Sequence, residues 1–455
     1  MKLNTIILAA GQGTRMRSEL PKVLHKLGAW PLLEHVYNTA RSVQEGEITV
    51  IYGHGGEKVV NSLDHLEAGW IEQKEQLGTG HAVMQVADLI EDDDTVLILY
   101  GDVPLLKAET LNRLTQCMAN TQLAVLTVNL DDPSGYGRIV RNTEGRIERI
   151  VEEKDASASE KLLSEVNTGI LAADGGKLKQ WLSALDNNNA QGEFYLTDII
   201  AMAVSEGITV ETTQATSADE VLGVNNRQQL AYLERVFQLE QANKLMELGV
   251  TLRDPHRFDL RGRINSIGRD VEIDVNVVLE GEINIGNGVR IGPNCVIKDA
   301  TIHGNVDIFA NCHIEDATIG AACRVGPYSR LRPATVLSEK VHVGNFVEIK
   351  KSEVSIGSKI NHLSYIGDSN VGSEVNIGAG TITCNYDGAN KFKTIIEDGV
   401  FVGSDTQLIA PVRIAKNSTI GAGSTITSDT PADKLSLSRA KQISIDGWQR
   451  PKKRG

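Results

Sequence analysis

Residues 319–349 read IGAACR VGPYSR LRPATV LSEKVH VGNFVE I, so that Ile319, Val325, Leu331, Leu337, Val343 and Ile349 each fall six residues after the last. A helix repeats every 3.6 residues and a half-buried strand every two, so this spacing fits neither. It fits a coil with three flat sides, one aliphatic per side turned inward and small residues at the corners: the hexapeptide parallel β-helix. The spacing extends outward from there. Aliphatics occupy 267, 273, 279, 285, 291 and 297, the phase slips by one residue, resumes at 302, 308 and 314, and slips again. A last run holds at 396, 402, 408, 414, 420 and 426, and Gly often follows the aliphatic, as in Val343-Gly344 and Ile420-Gly421. At about 18 residues per coil, Ile264–Ser428 predicts about nine coils and roughly 40 Å of stack. The repeat stops once, for Cys384–Thr394, and insertions of that kind leave a solenoid as corner loops, often on a binding face.

The first ~225 residues are different. Thr5–Leu8, Ile48–Tyr52 and Val96–Tyr100 are aliphatic runs of strand length. Between them Leu32, Leu33, Val36, Tyr37, Ala40 and Val43 recur at helical spacing, as do Val83, Val86, Ala87 and Ile90. The alternation predicts an α/β layer fold with a Rossmann-like, mostly parallel sheet, to which a hairpin of Arg138–Val140 and Arg146–Ile150 adds a mixed part. Residues 226–249 read as a linker helix, capped by Asn226 and ended by Gly249, with Leu230, Leu233, Phe237, Leu245 and Leu248 on one face. The organisation expected is therefore 1–225, a linker helix at 226–249, and a solenoid at 250–455.

Composition supports two unlike halves. The chain has 455 residues, 46 basic against 59 acidic for a net charge of −13, 41% hydrophobic and 4% aromatic. That is a globular composition of two or three domains, and its acidity argues against general nucleic-acid binding. No apolar run is long enough for a membrane span or signal-peptide core. Five cysteines (Cys117, Cys295, Cys312, Cys323, Cys384) with no C-x-x-C pair support neither a disulfide framework nor a zinc site, and a reducing cytoplasm is the expectation.

Several stretches carry chemistry. Leu8-Ala9-Ala10-Gly11-Gln12-Gly13-Thr14-Arg15-Met16 follows the first strand, where glycines allow close approach of a phosphate and Arg15 and Lys22 supply cations. It is neither G-x-G-x-x-G nor a Walker loop. Tyr100-Gly101-Asp102 ends a strand, so Asp102 is placed to hold Mg²⁺, or more plainly to cap the next helix. Gln76-Leu77-Gly78-Thr79-Gly80 is a second close-approach turn, suited to a nucleobase or ribose. In the solenoid, Arg332 lies one coil before Lys350, a two-cation slot for a phosphate beside Lys351. His362 and Tyr365 follow, in Asn361-His362-Leu363-Ser364-Tyr365, and a general base is the reading of His362. A metal role would need three converging histidines, with His303, His313, His342 and His362 as candidates.

Taken together, L-A-A-G-x-G-T-R-M, L-P-K at 20–22, Q-L-G-T-G-H at 76–81 and Y-G-D at 100–102 resemble the sugar-nucleotide pyrophosphorylases. Gly135-Tyr136-Gly137-Arg138, Glu152-Glu153-Lys154, Asn167-Thr168-Gly169, Glu193–Asp198 and Gly223–Arg227 narrow this. With the solenoid, nearly the whole chain resembles the bifunctional N-acetylglucosamine-1-phosphate uridyltransferase/glucosamine-1-phosphate acetyltransferases. The resemblance implies a left-handed coil, UTP and acetyl-CoA as substrates, Mg²⁺, and a cytoplasmic homotrimer that supplies peptidoglycan and lipopolysaccharide precursors. Arg15 and Lys22 would hold UTP phosphates along the wall Leu8, Ala9, Ala10, Gly11, Tyr100 and Gly101. Gln73, Gly78 and Thr79 would surround uracil, and Asp102 and Asn225 would ligate Mg²⁺. Gly137, Glu152, Asn167, Tyr195 and Thr197 would line the sugar pocket. In the acetyltransferase half, His362 would be the general base, with Glu348 to orient it. Arg332 and Lys350 would hold the sugar phosphate, with Tyr365, Asn376 and Asn385 around the sugar. Ala379, Asn385, Tyr386, Ser404, Ala422 and Arg439 would meet acetyl-CoA. Lys441 suits the CoA phosphates, whereas the basic tail Arg450–Arg454 reads as a solvated end. Gln12 departs from the family, which often carries Lys there.

Two other readings are open to the same sequence. One is a sugar-1-phosphate nucleotidyltransferase whose solenoid only assembles the oligomer. The other is a non-enzymatic scaffold, against which the intact Arg15, Lys22, Asp102 and Asn225 set argues. A cut after about residue 229 is expected to leave a soluble uridylyltransferase.

Overall fold

In the computed structural model, which describes residues 2–43, 46–53, 55–451 and 453, the first aliphatic run forms strand β1 (Leu3–Ala9). Its side chains alternate: Ile7 and Ala9 enter one core cluster, Ile6 and Leu8 the other. A strand buried on both faces is the central strand of a layered α/β fold. Around it lie β2 (Ile48–Tyr52), β3 (Gly69–Glu72), β4 (Thr95–Tyr100), β5 (Leu123–Asn129), β6 (Arg138–Arg141), β7 (Ile147–Val151), β8 (Glu165–Asp174) and β9 (Glu211–Gln214). The order is β9-β5-β8-β4-β1-β2-β3, with β6 and β7 attached beside β8. Pairings of β1 with β2 and β4, of β2 with β3, and of β5 with β9 are parallel, whereas β8 runs antiparallel to β4 and β5. The hairpin forms as expected, Ile139 opposite Ile150, and Asn142 Oδ1 closes its turn by accepting from the amides of Glu144 and Arg146.

Helix α1 (Leu32–Val43) buries Leu32, Leu33, Val36, Tyr37 and Ala40, the stripe that its spacing demands. The second helical stretch is shorter than its spacing suggested. Helix α2 (Thr79–Met84) gives way to a 3-10 turn at Ala87–Leu89, although Val83, Val86 and Ile90 are buried.

Helix α3 (Arg227–Glu247) begins where Asn226 Oδ1 accepts from the Gln229 amide and ends at Gly249, φ +90°. Contacts divide the chain within it, into units Met1–Phe237 and Gln238–Gly455. Leu233 and Phe237 belong to the core around Met16, Leu27, Leu32 and Leu105, while Ala242 and Leu245 close the end of the solenoid core with Val250 and Phe258. Leu248, expected on the buried face, is exposed.

The second unit is a stack of parallel strands. One sheet has eleven, from Thr251–Leu252 to Leu435–Ser436, so the coil starts before Ile264 and ends after Ser428. Inward aliphatics stack in register: Leu331 on Ile349, Ile349 on Ile366, Val402 on Ile420. Each contributes roughly 1.5–3 kcal/mol by burial. The phase slips have a physical cause. Ile297 pairs with Ile314 and Ile302 with Ile319, coils of 17 residues, with the shortening taken up by Asp299 and Asp316 at φ +47° and +45°. Aspartate tolerates that conformation, and Asp299 Oδ1 repays the corner by accepting from the Glu282 amide at 2.9 Å. Small polar residues fill the remaining inward positions: Ser329 Oγ donates to the Gly344 carbonyl and Ser358 Oγ to that of Gly372, each in the next coil. Cys295, Cys312 and Cys323 occupy such positions as free thiols.

Two candidate active sites

The first site lies at the carboxyl ends of β1 and β4. Leu8, Ala9, Ala10 and Gly11, then Arg15 and Lys22, then Gln73, Gly78, Thr79, Tyr100, Asp102 and Asn225 line one cavity of about 540 Å³. Gly13 is required by geometry: at φ +63°, a Cβ there would stand 2.7 Å from Lys22 Cβ. The loop thus folds back on Lys22 and carries Arg15 on a 3-10 turn, Thr14–Met16. Lys22 Nζ is hydrogen-bonded to Asp102 Oδ2 and lies 3.3 Å from Asn225 Oδ1, which also accepts from Arg15 Nη2 at 2.9 Å. Two cations and two oxygen ligands from three distant segments therefore meet at one point. Asp102 caps no helix, since the next one starts at Ala108 behind Lys107.

A second cluster extends this site. Thr197 Oγ1 donates to Glu152 Oε1 at 3.1 Å, and a Cβ on Gly137 would stand 3.0 Å from Ile150 Cγ2 and 3.4 Å from that carboxylate, so the glycine packs closely under it. The Gly137 carbonyl accepts from the Asn167 amide, and Asn167 Oδ1 accepts from Gly169. Tyr195 accepts from Gln191 Nε2 at 2.8 Å. Tyr100 links the two clusters: burial, then Glu152 and Asp102, push its phenol well above the ordinary range. Burial also raises Glu152. Gly101 stands apart, packed against Leu33 and Ala9. Ser134 and Gln229 in the cavity wall had no signal in the sequence, while Gln76, Tyr136 and Glu193, which stand inside the quoted motifs, were given no individual role. The same holds for Arg138, which is buried, ion-paired to Glu153 at 2.8 Å and hydrogen-bonded to the Tyr136 carbonyl.

The second site is built by register. Asn345 pairs with His362, Ile360 with Ile377, Ile377 with Val402, and Val402 with Ile420. Counting two residues on from each aliphatic places His362, Ala379, Ser404 and Ala422 in one column, successive coils apart. Backbone bonds agree: the amide of Gly380 donates to the His362 carbonyl, Asp405 to Ala379, and Gly423 to Ser404. Arg439 ends the column, its Nη1 donating to the Ala422 carbonyl at 2.8 Å. Lys441, like Arg439, is exposed. Lys452 and Arg454 of the basic tail lie outside the described residues.

On another face, Arg332 stands over Lys350, as their spacing requires, continuing the pairing of Leu331 with Ile349. Glu348 is hydrogen-bonded to Arg332 at 2.9 Å, so its carboxylate serves the cation slot. Lys391, in the inserted loop, is a third cation there and went unnoticed in the sequence. Its ammonium, followed by desolvation and then the Arg332 guanidinium, holds Lys350 below the ordinary lysine range. The loop is anchored by Asn385 Nδ2 donating to Asp368 Oδ2 at 2.6 Å and bridged between Tyr386 and Lys391, with the Tyr386 ring exposed. Lys351 turns outward toward Asp368, 3.7 Å away. Tyr365 is one coil on from Glu348, and Asn376 from Lys359. Among the described residues, no group of three His, Cys, Asp or Glu side chains converges as a metal centre.

Family models match three stretches: a MobA-like NTP transferase domain at residues 5–166, a GMPPB C-terminal domain at 264–356, and bacterial transferase hexapeptide repeats at 393–428. A bifunctional GlmU protein of Methylococcus capsulatus is 63% identical over 453 residues, covering 100% of this chain and 98% of its own. The chain belongs to the bifunctional GlmU family. Its GlmU relatives include those of Azoarcus sp., 57% identical over 99% of this chain and 100% of theirs, and Ralstonia pickettii, 55% identical over 99% of each. Like them it is a bifunctional transferase, with a nucleotidyltransferase unit and a hexapeptide-repeat acyltransferase unit. Among the described residues of this GlmU-family chain, no helix is long and apolar enough to cross a membrane.

Proposed function

We propose that the chain makes UDP-N-acetylglucosamine in two steps, each housed in its own unit, with domain limits 1–225, 226–249 and 250–455. The solenoid unit acetylates the 2-amine of glucosamine 1-phosphate from acetyl-CoA. The N-terminal unit then joins the N-acetylglucosamine 1-phosphate to UMP from UTP and releases pyrophosphate. The observation that carries this reading is the presence, in one chain, of the Arg15–Lys22–Asp102–Asn225 node and of His362 at the head of the Ala379–Ser404–Ala422 column.

In the uridylyl step the sugar-phosphate oxygen attacks the α-phosphorus of UTP and pyrophosphate leaves. Arg15 and Lys22 neutralise the triphosphate, and Gln73, Gly78 and Thr79 hold the base. Asp102 and Asn225 offer a carboxylate and an amide oxygen aimed at one ammonium, a donor set that fits Mg²⁺, which prefers few protein oxygens and completes its shell with phosphate and water. When bound, Mg²⁺ supplies neutralisation of the phosphates. Gly137, Glu152, Asn167, Tyr195 and Thr197 hold the sugar.

For acetyl transfer, His362 removes a proton from the 2-ammonium, the amine attacks the thioester carbonyl, and CoA leaves as the thiol. Arg332, Lys350 and Lys391 hold the sugar phosphate, with Tyr365, Asn376 and Asn385 around the sugar. Ala379, Asn385, Tyr386, Ser404, Ala422 and Arg439 hold acetyl-CoA. The enzyme acts in the cytoplasm as a homotrimer and supplies cell-envelope precursors. A trimer is supported by Tyr328, Phe346 and Leu363, bulky apolar residues held at φ +57°, +57° and +48° at one corner of three successive coils, 52%, 58% and 63% exposed. Such residues rarely adopt that conformation, and a face that holds three of them toward solvent is suited to another copy.

Purified Asp102→Asn tests the division of labour. Pyrophosphate release from UTP is expected to fall at least about 100-fold while CoA release is unchanged, a difference of about 2.7 kcal/mol in the barrier. Equal loss of both activities in a folded protein would contradict two separate sites.

A further inference from the structure

Gln73 follows β3, is buried, and lines the cavity. Its Nε2 lies 3.1 Å from the Gly78 carbonyl oxygen and 3.0 Å from His81 Nδ1. A carbonyl oxygen only accepts, so the atom facing Gly78 is the NH₂ group, and this fixes which way the carboxamide points. His81 Nδ1 must then present its lone pair to the second amide hydrogen, which places the ring proton on Nε2. That nitrogen lies 3.2 Å from Gln85 Nε2, an NH₂ group that also donates to the His81 carbonyl at 3.0 Å, so two carboxamides compete for one ring lone pair. The exposed Gln85 can turn its second hydrogen to water whereas the buried Gln73 cannot, and the lone pair goes to Gln73. With both hydrogens directed inward, Oε1 of Gln73 remains as an acceptor at the cavity wall. The holders are themselves fixed. Gly78, at φ +112°, sits so close to Phe194 that a Cβ would stand 2.6 Å from its carbonyl oxygen. The His81 ring lies beside that of Phe194, centroids 6.3 Å apart.

We propose that His81 is a specificity-determining positioning residue of the uridylyl site. By accepting from Gln73 it locks Oε1 toward the cavity, and an acceptor there selects a pyrimidine whose N3 carries a hydrogen, as in uracil or thymine. Cytosine, whose N3 is a lone pair, meets repulsion instead of a bond. Without His81, the Gly78 carbonyl alone opposes rotation of the carboxamide, and the rotated amide offers cytosine a donor. The inference rests on the reading of this cavity as the UTP site with its base at Gln73.

The test is kcat/KM for UTP and for CTP, with Mg²⁺ and N-acetylglucosamine 1-phosphate, on the full-length chain. His81→Phe keeps a ring beside Phe194 but has no acceptor; His81→Asn restores an acceptor near Nδ1. The UTP/CTP ratio is expected to fall about tenfold in His81→Phe, the worth of roughly one hydrogen bond, and to stay within about threefold of wild type in His81→Asn. Because the readout is a ratio, loss of folded protein cancels, and His81→Ala is read in the same way if Phe is not accommodated. An equal fall for both nucleotides would make His81 merely structural and overturn the proposal. Gln73→Leu separates the layers. If it collapses the ratio while His81→Phe does not, the base site stands and the role of His81 falls. If Gln73→Leu leaves the ratio unchanged, or wild type releases no pyrophosphate from UTP, the underlying site reading itself fails.

Discussion

The ammonium of Lys350 is crowded by Lys391 and Arg332, which lowers its affinity for its own proton. Like charges held together in this way favour entry of an anion, since a phosphate between them turns repulsion into attraction. Lys391→Met is therefore expected to raise KM for glucosamine 1-phosphate about tenfold and leave uridylyl transfer unchanged in initial-rate assays. Arg332 and Lys350 were legible in the sequence because the repeat places them one coil apart. Lys391 was not, because the repeat is silent inside the insertion that carries it. Asp198 makes a second case. Burial, helped by Asp186, Glu152 and Asp155, lifts its carboxyl to about 6. A raised carboxyl means that the folded chain holds more protons than the unfolded one between the ordinary Asp value and about pH 6, so Asp198 costs stability as pH rises through that window. Asp198→Asn is expected to raise the thermal midpoint at pH 7 and to change it little at pH 4, by scanning calorimetry. An equal gain at both pH values would assign the effect to packing.

Among elements, α3 departs most from its sequence reading. Its caps and length were readable from Asn226 and Gly249, but its burial was not, because a single stripe was assumed and the helix serves two cores. Leu233 and Phe237 complete the first unit, and Phe237 Cε1 would stand 2.6 Å from a Cβ on Gly28. Ala242 and Leu245 belong to the second. A cut after residue 229 would thus strip the first unit of two core side chains, each worth about 2–5 kcal/mol. The fragment 1–229 is expected to melt well below 1–249, as followed by circular dichroism. Equal midpoints would show that the helix adds nothing to the first core. The solenoid coils, by contrast, were readable residue by residue, since each six-residue step has one inward position and one corner. The two ends escaped: the first coil, where Phe258 and Leu260 replace the regular aliphatics, and the last strand, Leu435–Ser436.

At the scale of the whole molecule, the account requires two chemistries on one chain, the second consuming what the first makes. The parallel coil, the mixed sheet and the position of the Gly11–Gly13 loop followed from periodicity and from the rule that sites form at strand carboxyl ends. How β8 runs antiparallel between β4 and β5 did not, because strand direction is set by connections and not by local pattern. The assembly belongs to this scale as well: Phe346→Asp is expected to shift the sedimenting species from trimer toward monomer and to depress acetyl transfer far more than uridylyl transfer. The most direct measurement supplies glucosamine 1-phosphate, acetyl-CoA, UTP and Mg²⁺ to wild type and to His362→Ala, and identifies the products by mass. Wild type should yield UDP-N-acetylglucosamine, CoA and pyrophosphate. His362→Ala should yield almost none until N-acetylglucosamine 1-phosphate is added, whereupon uridylyl transfer proceeds at the wild-type rate. Undiminished product from His362→Ala without that addition, or no acetylated product from wild type, would contradict the account.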